Sequence, residues 1–212
     1  MITVATPTRL NCQKTIGFSH AVRPGTADTK GLVEGYRIER YRNPVNRERM
    51  PLLVAAVSSD HVFDVFIDLL KPVGEVVHVV LETSHDAVAD EHDDVTRAEI
   101  DMPVAASHFC DHEDLLTNDG CTGVAVIAVG RPVEVQFDEH KLLYVYAHDL
   151  KPFRRILRSH GVRRCNELRV VAEIEHVHHS TPEYQDEFRQ LCCHVGAGDM
   201  ESVMTDESGW VS

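Results

Sequence analysis

The sequence has no apolar run approaching the roughly 20 residues that a membrane-spanning helix needs, and no membrane partner is expected. Aromatic residues are scarce, 6% of the chain with one tryptophan, and no platform for stacking nucleic-acid bases stands out. Basic residues are outnumbered, 21 Lys and Arg against 34 Asp and Glu, for a net charge of −13. Phosphate contacts need clustered cations, so nucleic acid is not an expected partner. The one run of arginines, Arg37, Arg40, Arg42, Arg47 and Arg49, is interrupted by Glu39 and Glu48 and reads as a solvated strand edge. The six cysteines show no C-x-x-C spacing, which leaves buried free thiols as the expectation. Also missing are G-x-G-x-x-G, G-x-x-x-x-G-K-[ST], G-x-S-x-G and H-E-x-x-H, so dinucleotide, P-loop, hydrolase-elbow and zincin chemistry have no sequence support. Met1 to Leu10 carries neither the basic nor the apolar region of a signal peptide, and a cytoplasmic location is expected.

What is present is a regular alternation of strand and helix patterns. KTIGFSHAV and VEGYRIERYR alternate as strands, and LLVAAVSS is a continuous apolar run of the buried-strand type. Ser59 and Asp60 are candidate N-caps for a helix whose stripe is Val62, Phe63, Phe66, Ile67 and Leu70. EVVHVVLET reads as another buried strand, the acidic stretch Ser84 to Arg97 as a loop, and Pro103 opens a helix to about residue 116. CTGVAVIAVG, VEVQF and KLLYVYA then give three strands. Asp149 can cap the helix LKPFRRILRSH, which stops at Gly161. ELRVVAEIEHVH reads as one long strand, and Pro182 opens a last helix.

The second half resembles the first. At an offset of 90, Leu52-Leu53 meets Leu142-Leu143, Phe63 meets Phe153, and Phe66-Ile67 meets Ile156-Leu157. At 91, Val79-Val80 meets Val170-Val171, Glu82 meets Glu173, and His85 meets His176. The expected architecture is α+β: two-layer sandwiches of mixed sheet with helices on one face, built by tandem duplication of a βββαβα unit. The expected boundaries are a loosely ordered N-terminus (1–13), a first repeat (14–119), a second repeat (120–196) and a flexible C-terminal tail (197–212). The copies diverge in charge. Sixteen acidic residues between Ser59 and Asp119 face only Lys71 and Arg97, whereas the second-copy helix carries Lys151, Arg154, Arg155 and Arg158. Opposite charge on paired modules suits association, within the chain or in a homo-oligomer.

Histidine is the compositional outlier, with fourteen copies. Imidazole is the commonest transition-metal ligand and titrates near neutrality. His108 and His112, spaced i, i+4, fall on one helical face, as two metal ligands would. His85 and His92 sit in the acidic loop, and His176 and His178 project to the same side of a strand, beside His179. Glu82, His85, Glu173 and His176 recur at equivalent places in the two copies and are candidate ligands, or acid and base, for a cleft shared between them. Two functions follow. The leading expectation is a non-catalytic binding or interaction module, with a small-molecule ligand in that cleft. The alternative is a hydrolase or lyase acting on a small molecule through a divalent transition metal held by His, Glu and Asp.

Overall fold

A computed structural model describes residues 14–199 except 28, 45–46 and 86–92. The strands are β1 (Val22–Pro24), β2 (Gly35–Arg42), β3 (Arg49–Ala56), β4 (Val76–Thr83), β5 (Asp93–Asp101), β6 (Thr122–Ala128), β7 (Val133–Phe137), β8 (Leu142–Ala147), β9 (His176–His178) and β10 (Gly198–Asp199). The helices are α1 (Val62–Leu70), α2 (Met102–Asp111), α3 (Glu113–Asn118), α4 (Lys151–Ser159) and α5 (Pro182–Val195). Eight strands form one sheet in the order β10-β5-β4-β6-β7-β8-β3-β2, and every ladder in it is antiparallel. A separate antiparallel pair joins β1 to β9. The chain is α+β, and no described helix is long and apolar enough to cross a membrane.

The two faces of the sheet are made from alternate residues of the same strands. Val77, Val79 and Leu81 of β4, Val124 and Val126 of β6, and Leu143 and Val145 of β8 point to one side. There they meet all five described helices, through Phe63 and Phe66 of α1, Phe109 of α2, Leu115 of α3, Phe153 of α4 and Leu191 of α5. No described α-helix lies on the other face. Leu52, Val54 and Ala56 of β3 and Leu142 of β8 are covered instead by the irregular segment carrying Cys165, Leu168 and Val170, with Ile16 and Val33 beside it. Farther along, that face presents Glu82, Glu134, Gln136, Tyr144 and Tyr146, all half-buried.

Several expectations need correction. Residues 93–97, the end of the stretch expected as loop, open β5, whose side chains are exposed or half-buried except for Ile100 because among the described residues only the two-residue β10 lies outside it; no apolar alternation marks it. ELRVVAEIEHVH is not one strand. The chain from 164 crosses the bare face with isolated parallel bridges, Tyr36 to Arg164 and Leu32 to Arg169, then makes a 3-10 turn at Val171–Glu173, and only the end of the expected strand forms β9. Its apolar residues satisfy packing rather than a ladder. Parallel pairing is thus confined to bridges, although a mixed sheet is expected: β3 and β4, joined through α1, run the same way but are separated by β8, β7 and β6. The expected helix at 103–116 breaks at His112, and α1 follows His61 without a side-chain cap from Ser59 or Asp60. Asp149 does accept the Lys151 amide, at 3.0 Å. Cys110, Cys121, Cys192 and Cys193 are free, but Cys110 and Cys193 are exposed and Cys165 is disulfide-bonded, against the expectation of buried thiols. The expected N-terminal region and most of the expected tail lie outside the described residues, as does His92; within the tail, Gly198–Asp199 pairs with β5.

Candidate metal centre

The turn between β7 and β8 aims the first ligand. The Asp138 amide donates to the Leu142 carbonyl at 3.1 Å, and Asp138 Oδ1 accepts the Leu142 amide at 2.8 Å. Closing so short a turn puts Lys141 in the left-handed region, at φ 62°. His140 projects from this turn, and His176 and His178 project together from β9. β9 is held by β1 on one side and by Gly120 on the other, where the Gly120 amide donates to the His179 carbonyl at 2.8 Å. Gly120 is there because nothing larger fits: a Cβ would lie 2.4 Å from the Ala21 carbonyl oxygen.

The three imidazoles converge. Ring centroids are 4.8 Å apart for His140–His176 and for His140–His178, and 5.0 Å for His176–His178. One nitrogen of each ring lies within 4.8 Å of the other two. Each outer nitrogen has an acceptor: Nδ1 of His140 on Asp138 Oδ2 at 3.0 Å, of His176 on the Ile174 carbonyl at 2.7 Å, and of His178 on the Gly120 carbonyl at 2.6 Å. A ring that donates from Nδ1 keeps its lone pair on Nε2, so all three rings are fixed in the tautomer a metal ligand needs. His140 Nε2 and His176 Nε2 are 3.1 Å apart. Nitrogens on a tetrahedral zinc, each about 2.0–2.1 Å from it, stand roughly 3.3–3.4 Å apart. Without a metal the two lone pairs repel unless one ring holds an extra proton. His140 is the ring suited to it: burial disfavours its charge, but the hydrogen bond to Asp138, with Glu139 nearby, outweighs burial and raises its pKa. His178 is shifted the other way, down, chiefly by burial.

A second polar group lies across Gly120. His85 Nε2 is 3.1 Å from Asp119 Oδ2, and one ligand-type atom each of His85, Asp119 and Cys121 lies within 4.8 Å of the others. The His85 Nδ1 is 2.6 Å from Thr83 Oγ1. Burial works to raise the Asp119 pKa, but hydrogen bonds from His85, Ser180 and Thr122 hold it below the usual range. Burial pushes the Cys121 thiol up. Lys141, buried beside this group, donates to the Thr122 carbonyl at 2.8 Å, and burial pulls its pKa down to about 8.

Of the residues singled out in the sequence, His176 and His178 enter the three-histidine centre and His85 the second group. Glu82 is on the bare face, its pKa raised to about 7 by burial and by the charges of Asp94 and Asp138. Glu173 is committed elsewhere, paired with Arg37 at 2.5 Å and accepting the Val170 amide at 3.1 Å. The four therefore do not form one ligand set. His108 and His112 meet neither group but gather at His194, with His112 Nε2 2.9 Å from His194 Nδ1 and its Nδ1 3.2 Å from Glu187. His140, Asp119 and Cys121 escaped sequence reasoning. They sit in turns, where no periodicity ties them to a partner 36 residues away in the chain for His140 and His176.

A narrow, mostly apolar crevice adjoins the centre, with His140, Lys141, Arg169, Ser19 and Ser59 among its lining. No protein-family model, curated protein or solved structure matches the chain.

Proposed function

We propose that the protein is a divalent transition-metal protein whose centre is His140, His176 and His178, and that it acts as a metal-dependent hydrolase or lyase on a small molecule. The observation that carries this is the orientation of the three rings, each with Nδ1 bound outward and Nε2 left for a cation. Three protein ligands leave a coordination position open, and a metal so held brings a bound water's pKa to about 7. Glu82, with its pKa near neutrality and its charge coupled to Asp138 and Glu139, is the candidate proton acceptor. Metal binding requires neutral imidazoles, so it competes with protonation of His140, whose pKa is raised by Asp138 and Glu139, and weakens as pH falls through the histidine range.

The binding-module reading keeps one observation in its favour. The crevice lies between residues of the first half (16–62) and of the second (140–171), where a ligand between two modules would sit. The pairings also suit a duplicated unit with exchanged strands: β3 lies against β8 and α1 against α4, while β4 pairs with β6 and β9 with β1. A cytoplasmic, homo-oligomeric protein belongs to the same proposal, although the Cys165 disulfide fits a reducing compartment poorly.

Elemental analysis of protein purified without a His-tag tests the metal. Zinc, iron or manganese is expected in near-stoichiometric amount, with one equivalent lost in His176→Ala. Wild-type protein that is metal-free and takes up no zinc on dialysis would leave only the binding module.

A further inference from the structure

We infer that His85, Asp119 and Cys121 form a second, buried metal site that holds a ligand of the first one in place. The donor set is an imidazole nitrogen, a carboxylate oxygen and a sulfur, a combination that suits zinc. Its geometry is built rather than incidental. Asp119 is fully buried and the His85 side chain is 5% exposed. One polar atom of the group, Asp119 Oδ1, is buried without a hydrogen-bond partner, and His85 Nε2 faces the Asp119 carboxylate, 3.1 Å from Oδ2. An orphaned carboxylate oxygen at that depth costs free energy unless something satisfies it, and a cation between the carboxylate, the imidazole and the sulfur would do so. His85 is oriented through Nδ1 on Thr83 Oγ1, and Asp119 Oδ2 is fixed by Thr122 Oγ1 at 2.5 Å, as ligands held by outer partners are.

The site ties the end of β4 to the turn entering β6, and it encloses Gly120 between two of its ligands. The Gly120 carbonyl accepts the Nδ1 proton of His178. A metal on Asp119 and Cys121 therefore fixes the acceptor that sets the tautomer and angle of a ligand at the three-histidine centre. The assignment of the second site stands on its own donors; only its positioning role rests on the first.

Cobalt(II) titration of the full chain separates the two, because only the second site offers a thiolate. The expected spectrum includes a near-ultraviolet sulfur-to-cobalt charge-transfer band, lost in Cys121→Ser and retained in His176→Ala. Retention of the band in Cys121→Ser, or its absence from the wild type, overturns the second site. Loss of one metal equivalent in His176→Ala with the band intact supports both sites, whereas the band without any such loss removes only the three-histidine centre. A measurement without a variant guards against misfolding: zinc is expected to slow alkylation of Cys121, with a chelator restoring the rate, and alkylation indifferent to zinc contradicts the site.

Discussion

The two faces of the sheet solve the same problem in different ways. On the helix-covered face strands β2 to β8 all contribute side chains to one apolar cluster, and five described helices close over it. On the other face the covering is an irregular segment packed on β3 and β8, and beyond it the strands present carboxylates and phenols. Burial on the first face is satisfied by contact alone. On the second it leaves charge in low-dielectric surroundings, which is why Glu82 and Glu134 have raised pKa values there and the candidate metal centre lies at the rim. The first face makes the fold, and the second gathers the half-buried carboxylates and phenols.

That contrast can be broken by substitution. Phe66 is fully buried on the helix side, its ring 5.2 Å from that of Phe137 and 5.7 Å from that of Phe109. Phe66→Ala is expected to cost about 3–5 kcal/mol in denaturant unfolding, the largest single loss of the set. Gly120→Ala should cost about 2–3 kcal/mol, because its Cβ would strike the Ala21 carbonyl and the His179 backbone. It should also weaken zinc binding by displacing the acceptor of His178.

Glu82 tests the polar face. Its carboxyl loses its proton near pH 4.3 when unfolded but holds it to about 7 when folded. The folded state therefore binds more protons in that window, and stability falls as pH rises through it. In chelator, Glu82→Gln should match the wild type at pH 4 and exceed it by about 1–2 kcal/mol above pH 7, a partial exposure discount included. Equal stability at both pH values would remove the charge strain assigned to this face. At the small end, Lys71→Ala breaks an exposed pair with Asp68, 2.5 Å apart, and should change stability by no more than about 0.5 kcal/mol.

The same contrast explains what the sequence made legible. The stripe of α1 and the apolar runs of β3, β4 and β6 could be read because one buried face imposes a period on its residues. β5 could not, since an exposed strand near the sheet edge imposes none. The segment 167–178 misleads for the opposite reason: Leu168 and Val170 are apolar because they cover a face, and covering needs no ladder. At the site, His176 and His178 were visible as a same-side pair on a strand. Their third partner, His140, stands in a turn whose contact with β9 depends on the whole sheet being assembled. Glu173 resembled His176's companion in the repeat, yet a nearby Arg37 takes it.

The central claim is that three Nε2 atoms converge to hold one cation, and anomalous diffraction at the zinc edge from zinc-soaked crystals tests it most directly. The expected result is a peak about 2.0–2.1 Å from Nε2 of His140, His176 and His178, with each Nδ1 still on Asp138, Ile174 and Gly120. Density without a peak there, or rings turned so that Nδ1 faces inward, would contradict it.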